Sequence, residues 1–247
     1  MTIMAALQKG EIALQGQFLR GSNYTFLAHI TYPGLDEFSV VYKPTRGEQP
    51  LWDFPSGTLA KREVVAYLVS EALRWDLVPP TVYRRKGPLG PGSIQQYVEH
   101  DPDYHYFNFE AGDRQRLRPV MLFDLLINNA DRKGSHVLID QRGHLWLIDH
   151  GLCFHEEDKL RTVIWDFAGE NIPTPLLDDL SRLIALLEAP LALSVEPNGE
   201  PGIAQEIRHL LSPSEIRAMV QRSRGLIERG CFPPPVSNRR AYPWPPV

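Results

Sequence analysis

The sequence predicts an α+β protein in two parts: an antiparallel sheet carrying one helix, then a mostly helical region with a hairpin set into it. Three observations predict this. Between Glu11 and Glu99 short apolar runs alternate with turn residues, broken by one long helical segment, Leu59 to Trp75. The stretch Pro119 to Phe154, PVMLFDLLINNADRKGSHVLIDQRGHLWLIDHGLCF, reads as a buried helix, a polar loop and a hairpin. From Pro175 to Arg229 leucines and isoleucines recur at helical spacing. Residues 10–99, 100–230 and 231–247 are expected as an N-terminal lobe, a helical C-terminal lobe and a proline-rich tail.

Composition sets the class. The 247 residues are 43% hydrophobic and 23% charged, as in a globular chain, and carry a formal net charge of −4. That charge gives no ground for non-specific nucleic-acid binding. Cys153 and Cys231 cannot build a disulfide framework or a Cys-rich zinc site. Met1 to Gln8 has neither the basic start nor the apolar core of a signal peptide, and no apolar run reaches the length of a membrane span. The expectation is a cytoplasmic protein without nucleic-acid partners or stable membrane association.

In order, Glu11 to Leu19 alternates weakly, with Ile12, Leu14 and Phe18 as inward candidates. Arg20-Gly21-Ser22-Asn23 is a turn signal, and Tyr24 to Ile30 and Phe38 to Lys43 are strands joined through Tyr32 to Glu37. Strand, Gly-Ser-Asn turn and strand can cradle phosphate through the backbone N–H groups of Ser22 and Asn23 or the Ser22 hydroxyl. The same residues also make an ordinary β-turn. Lys43 ends an otherwise apolar strand, so it lies at an edge or in a polar pocket. Thr45 to Gly57 is a long loop that Trp52 and Phe54 can pin down. Thr58 can cap the next helix, whose apolar face is Leu59, Val64, Tyr67, Leu68 and Ala72. Pro79 to Tyr83 and Ser93 to Glu99 are two further strands. His100 to Leu117 has no clean period, and its Tyr104, Tyr106, Phe107 and Phe109 either wall a cleft or cover a core edge.

The central stretch carries the chemistry. Val120 to Ile127 is apolar except for Asp124, which needs a partner if buried. Asp131 follows on the polar loop. Asp149 ends the second hairpin strand, before His150 and Gly151, a glycine that lets the chain turn away. The hairpin around Gln141-Arg142-Gly143 can bring both carboxylates to one edge, and two converging carboxylates suit a hard divalent cation.

Asp131-Arg132-Lys133-x-x-His136 and then Ile148-Asp149-His150-Gly151 resembles the catalytic loop and metal-binding motif of the atypical kinases. These are the phosphatidylinositol 3/4-kinase-like group, with the bacterial HipA-like kinases as relatives. Their pattern is Asp-Arg-His-x-x-Asn, then Asp-Phe-Gly or a variant. The chain is similar to PI3/PI4-kinase-like proteins common in actinobacteria, over roughly Leu14 to Phe154. The resemblance implies a two-lobed protein-kinase-like fold and an ATP phosphotransferase that uses Mg²⁺ or Mn²⁺. By it, Asp131 is the catalytic aspartate and Asp149 the metal-binding one. His136 stands where the family has a second metal ligand, asparagine; its softer nitrogen suits Mn²⁺ better than Mg²⁺. Lys133 replaces a histidine, and with Arg132 falls near the transferred phosphate, where it either offsets transition-state charge or is an ordinary loop cation. Gly21, Ser22 and Asn23 become the nucleotide-covering loop. Lys43 becomes the lysine on the α/β-phosphates, and Glu63 the helix glutamate that orients it, with Glu71 as alternative. Backbone groups from Gln96 to Val98 become the adenine-reading hinge. The acceptor hydroxyl, on a small molecule or a protein, is not readable. Two other readings stay open: a nucleotide-binding pseudokinase acting as scaffold, and a metal-dependent phosphohydrolase using Asp131, His136 and Asp149.

Past Phe154 the run to Pro173 takes the place of an activation segment, anchored by Trp165 and Phe167. Helices follow over Pro175 to Leu187 and Ile203 to Leu211, with a loop over 190–202. A last helix starts at Ser212-Pro213-Ser214-Glu215 and stops at Gly230. The tail beyond it is expected to lie extended along the body or to be partly disordered.

Overall fold

The computed structural model describes residues 2–18, 23–190 and 202–247. A five-stranded antiparallel sheet forms the N-terminal lobe, with β1 (Glu11–Gln17), β2 (Phe26–Tyr32), β3 (Leu35–Pro44), β4 (Thr81–Arg84) and β5 (Gly92–Gln96) in the order β1-β2-β3-β5-β4. One face packs under a short helix that the sequence reading did not assign, α1 (Ile3–Lys9), begun by the Thr2 side chain accepting from the Ala5 N–H. Its Ala6 and Leu7 are buried with Ala28, Ile30, Val40, Tyr42 and Ile94. The strand β1 is an edge, with a bulge between Leu14 and Gly16. Leu14 and Phe18, expected inward, are therefore exposed, and only Ile12 packs in part.

The long helix, α2 (Leu59–Leu73), lies between the other face of the sheet and two helices of the second lobe, α5 (Thr174–Glu188) and α6 (Ile203–Leu210). It is consequently buried almost all round, Arg62 and Glu63 included. Thr58 holds the cap position without capping: its hydroxyl donates to Pro55 O, and Glu48 Oε1 accepts the free Ala60 N–H at 3.0 Å. Of the two aromatics expected to pin the preceding loop, Phe54 is buried, packed on the Arg62 guanidinium. Trp52 is 91% exposed.

The second lobe is built on α4 (Arg118–Ile127), preceded by the short α3 (Ala111–Gln115), and on α5, α6 and α7 (Pro213–Arg229). Leu122, Phe123 and Leu126 of α4 join Leu180, Leu183, Met219 and Leu226 in one core, which takes in Val65 and Leu68 of α2. Tyr106 and Phe109 belong to this core and Phe107 is exposed, so the aromatic stretch covers a core edge. Set into the lobe is the hairpin of β6 (Val137–Ile139) and β7 (Leu145–Leu147), its turn reversing at Gly143 with φ 78°. A capping box of Ser212 and Glu215 starts α7, and Gly230 at φ 65° stops it. The loop expected over 190–202 falls largely outside the described residues.

The tail runs back across the lobe. Phe232 and Ala241 are buried, the Thr162 N–H donates to Ala241 O at 3.1 Å, and the Gly134 N–H donates to Pro246 O at 2.8 Å. Among the described residues no helix is long and apolar enough to cross a membrane. The architecture, an antiparallel sheet plus helix joined to a mostly helical region, is the two-lobed kinase-like fold.

Candidate active site

A cavity of about 420 Å³ opens between the lobes, lined by Lys43, Glu63, the run Gln95–Val98, Asp131, His136 and Asp149 among others. Lys43 reaches it because β3 alternates: Val41 and Lys43 face the cleft, while Val40 and Tyr42 face the α1 core. The Lys43 Nζ donates to Glu63 Oε1 and, at 2.9 Å, to Asp149 Oδ1. Burial pulls the ammonium's pKa down, but the Asp149 and Glu63 carboxylates more than reverse this, and it stands above the ordinary lysine value. Lys43 in turn holds Asp149 well below the usual carboxylate range. Glu63 is buried at 3% exposure, and that burial pushes its carboxyl up against the pull of Lys43. Its Oε2 accepts the His150 N–H at 2.9 Å. Glu71 makes no such pair: it lies on the exposed side of α2, beside Tyr67.

Asp149 itself takes a left-handed conformation, φ 61°, so the turn expected from Gly151 is made two residues earlier. A non-glycine residue held there is strained backbone of the sort that collects at functional positions. Its Oδ2 faces His136 Nε2 at 3.4 Å. Burial pushes the His136 imidazole down to about 4, so it is neutral and offers a lone pair. Among the described residues no three His, Cys, Asp or Glu side chains gather as a metal site. One carboxylate oxygen and one neutral imidazole still fit a divalent ion that takes the rest of its shell from phosphate and water, with the imidazole favouring Mn²⁺ over Mg²⁺. His136 Nδ1, buried, has no partner among the described residues, whereas a ligating histidine is commonly fixed by an outer hydrogen bond there.

Asp131 sits on the loop after α4, its N–H donating to Asn129 Oδ1 at 2.9 Å. Burial pushes its carboxyl up to about 6, opposed by Lys133, whose Nζ lies 3.6 Å from Oδ2. Arg132, expected near transferred phosphate, instead points into the protein and is fully buried. Its guanidinium donates to both Asp124 oxygens (3.0 and 3.2 Å), to Ile148 O (2.8 Å) and to His150 Nε2 (2.9 Å). It is a strut between α4, the Asp131 loop and the Asp149 turn. Asp124 finds the structural partners its burial demands, Thr162 and Asn129 besides Arg132. His150 is fully buried and neutral; because a guanidinium only donates, His150 Nε2 accepts and Nδ1 carries the proton.

At the far end, Gln96 and Val98 line the cavity, and among the described residues nothing accepts from the Val98 N–H. The Val98 carbonyl is hydrogen-bonded by His100 Nδ1 at 2.8 Å. Gly21 and Ser22 lie outside the described residues. Asn23 lines the cavity, but its Oδ1 accepts the Gln49 N–H at 2.7 Å and ties the loop to its neighbour. Among the lining residues that the sequence reading did not single out are Glu48 and Gln95. Neither belongs to a motif, and their placement depends on pairing with residues far along the chain.

No family model matches the chain. Over 98% of its length it is 38% identical to protein Rv2133c of Mycobacterium tuberculosis, 94% of which is covered. Over 44% of its length it is 30% identical to phosphatidylinositol 4-kinase gamma 4 of Oryza sativa subsp. japonica, covering 22% of that protein. Solved structures share the fold at low identity. Hydra Fam20, solved with sugar, superimposes with a TM-score of 0.56 at 14% identity, over 92% of this chain and 87% of that one. The Helicobacter pylori proinflammatory kinase CtkA gives a TM-score of 0.50 at 11% identity, over 92% and 94%. The golgi casein kinase gives 0.50 at 13% identity, over 92% and 72%.

Proposed function

The chain belongs to the actinobacterial PI3/PI4-kinase-like family that includes Rv2133c, and on that premise we propose that it is an ATP-dependent phosphotransferase acting on a hydroxyl acceptor, a small molecule or a protein. The observation that carries this is the Lys43 ammonium placed between Glu63 and Asp149 in the cavity that also holds Asp131. In this reading residues 10–99 and 100–230 are the nucleotide and catalytic lobes, and adenine lies against the Gln96–Val98 backbone. Lys43, oriented by Glu63, holds the α/β-phosphates. Asp149 and His136 would hold Mg²⁺ or Mn²⁺, which supplies charge neutralisation on the phosphate oxygens. Asp131 accepts the acceptor's proton as its oxygen bonds to the γ-phosphorus, while the bond to the β-phosphate oxygen breaks and ADP leaves. Lys133 offsets charge at the transferred group. Most of the rate comes from positioning and electrostatics.

One observation favours a second reading, nucleotide binding without transfer: among the described residues one carboxylate and one imidazole meet as metal donors, and no third His, Cys, Asp or Glu joins them. The test is calorimetric titration of ATP with Mg²⁺, with Mn²⁺ and with EDTA, for the wild type and Asp149→Ala, followed by a search for ADP formation. Metal-dependent binding lost in Asp149→Ala, with ADP produced by the wild type, is the expected outcome. Tight binding with no turnover on any acceptor selects the second reading, and no binding in any condition removes both.

A further inference from the structure

The run from Leu160 to Val163, in the segment between Phe154 and Pro173, is bonded along both of its edges. Toward the Asp131 loop, the Arg161 N–H donates to Asn129 O at 2.8 Å, Arg161 O accepts from the Arg132 N–H at 3.0 Å, and the Val163 N–H donates to Arg132 O at 3.2 Å. The first two of these bonds grip the loop on either side of Asp131. Toward the tail, the Thr162 N–H donates to Ala241 O at 3.1 Å, and Leu160 O accepts from Arg239 Nη1 at 2.6 Å. Successive residues thus turn their main-chain groups to opposite sides, as in the middle strand of a sheet. On the outer side a guanidinium stands in for part of the third strand. Its other nitrogen, Nη2, pairs with Asp158 Oδ1, so one planar fork spans Asp158 and Leu160. Leu160 and Thr162 are buried, and main-chain groups there need protein partners.

The tail does not need this fork to stay in place. Phe232 is buried beside Phe167, donates its N–H to Glu170 O and accepts from the Gly169 N–H, both at 2.9 Å, and Ala241 and Pro243 are buried further on. What the fork adds is the placement of the run against the loop. We propose that Arg239 is a positioning residue for Asp131, acting through the run 160–163, which it presses onto Asn129 and Arg132 from the side away from the loop. A general base works only within hydrogen-bond reach of the proton it takes, and a displacement of about 1 Å costs on the order of 100-fold in rate. The inference rests on the phosphotransfer reading of the cleft and deepens it. Nothing in it touches the nucleotide, so the role is confined to turnover. A lysine at 239 carries the charge but not the fork, and can serve the carboxylate or the carbonyl rather than both in one plane.

The experiment compares the wild type, Arg239→Ala, Arg239→Lys and, as control, Arg224→Ala in two measurements. One is kcat and KM for ADP formation from ATP with Mg²⁺. The other is the rate of tryptic cleavage after Lys159 and Arg161 under native conditions, read by mass spectrometry. Arg239→Ala is expected to raise cleavage about tenfold, the worth of a charge-assisted hydrogen bond lost from a locally opening segment. It is expected to lower kcat by about tenfold to 100-fold with KM for ATP within about twofold. Arg239→Lys is expected to fall between Arg239→Ala and the wild type in both, and Arg224→Ala to match the wild type. Faster cleavage with unchanged kcat makes the fork a local brace and overturns the positioning role. So does a loss of kcat that Arg239→Lys does not ease at all, or one that comes with an equal loss of ATP affinity. Absence of ADP formation by the wild type overturns the transfer reading itself and the positioning role with it, and the cleavage rates then show whether the fork holds the run.

Discussion

Lys43 and Asp149 meet at 2.9 Å across the cleft although 106 positions separate them. The contact joins the sheet to the end of the β6–β7 hairpin, and Glu63 completes it from α2. One ammonium thus fixes the relative positions of three elements. Its two carboxylate partners differ: Glu63 is enclosed, whereas the Asp149 side chain is 49% exposed and opens to the cavity.

Replacing Lys43 by Met is expected to lower the rate constant for ATP-dependent transfer by roughly 10²–10³-fold, the usual cost of losing a positioned charge at a reacting phosphate. Glu63→Gln keeps a hydrogen-bonding partner and should cost less. Single-turnover rates with circular dichroism on both variants check this; equal rates in wild type and Lys43→Met would contradict the assignment.

Asp131 gives a prediction in pH. Its carboxyl is pushed up to about 6 by burial, and only the ionised form can take the acceptor's proton. Activity should therefore fall about tenfold per pH unit below that value and level off above it. Lys133 pulls this pKa down, so Lys133→Ala should move the acid limb of kcat/KM to higher pH, whereas Asp131→Asn should leave ATP affinity unchanged and remove turnover. A limb that stays in place in Lys133→Ala points to another group.

The Arg132–Asp124 pair, with no exposed side-chain surface on either partner, makes a stability prediction. Asp124→Ala leaves a buried guanidinium short of its counter-charge, and loss of about 3–5 kcal/mol is expected. Denaturant unfolding measures it. The exposed pair Arg224–Glu188 is the control, since Glu188→Ala should change stability by less than about 1 kcal/mol.

The tail meets the loop that carries Asp131 through one bond, Gly134 N–H to Pro246 O, and the neighbouring segment through another, Thr162 N–H to Ala241 O. Removing residues 241–247 should lower turnover by several-fold to about tenfold, the range for one or two lost hydrogen bonds, with ATP affinity little changed. Matched turnover in the shortened chain would make the tail a passive covering.

Much of this was readable from local pattern. The hairpin, the Ser212 capping box and the polar loop with Asp131 all declare themselves within a few residues, because turns, caps and alternation are local. Lys43 and Glu63 needed the family pattern, since nothing nearby says where a lysine on an apolar strand points. Arg132 was misread because a cation between an aspartate and a lysine on a polar loop looks solvated. Its partners Asp124, Ile148 and His150 become its neighbours only after folding. Trp52 was misread the other way: a large ring is expected inside, and its loop leaves it outside beneath Lys159 Nζ, 5.0 Å from the ring. Gln95 could not be singled out, because the residue that holds its amide, Thr81, comes from the adjoining strand.

The enclosure of α2 has one more consequence. Where the corresponding helix sits loosely, it can swing and carry its glutamate toward or away from the lysine, and that stroke is how such clefts are switched. Here α2 is wedged between the sheet, α5 and α6, and Arg62, the residue before Glu63, is clasped by Glu215 of α7 and the Cys153 carbonyl. A swing would strip a buried guanidinium of both partners and open the shared core. The helix is therefore held where Glu63 meets Lys43.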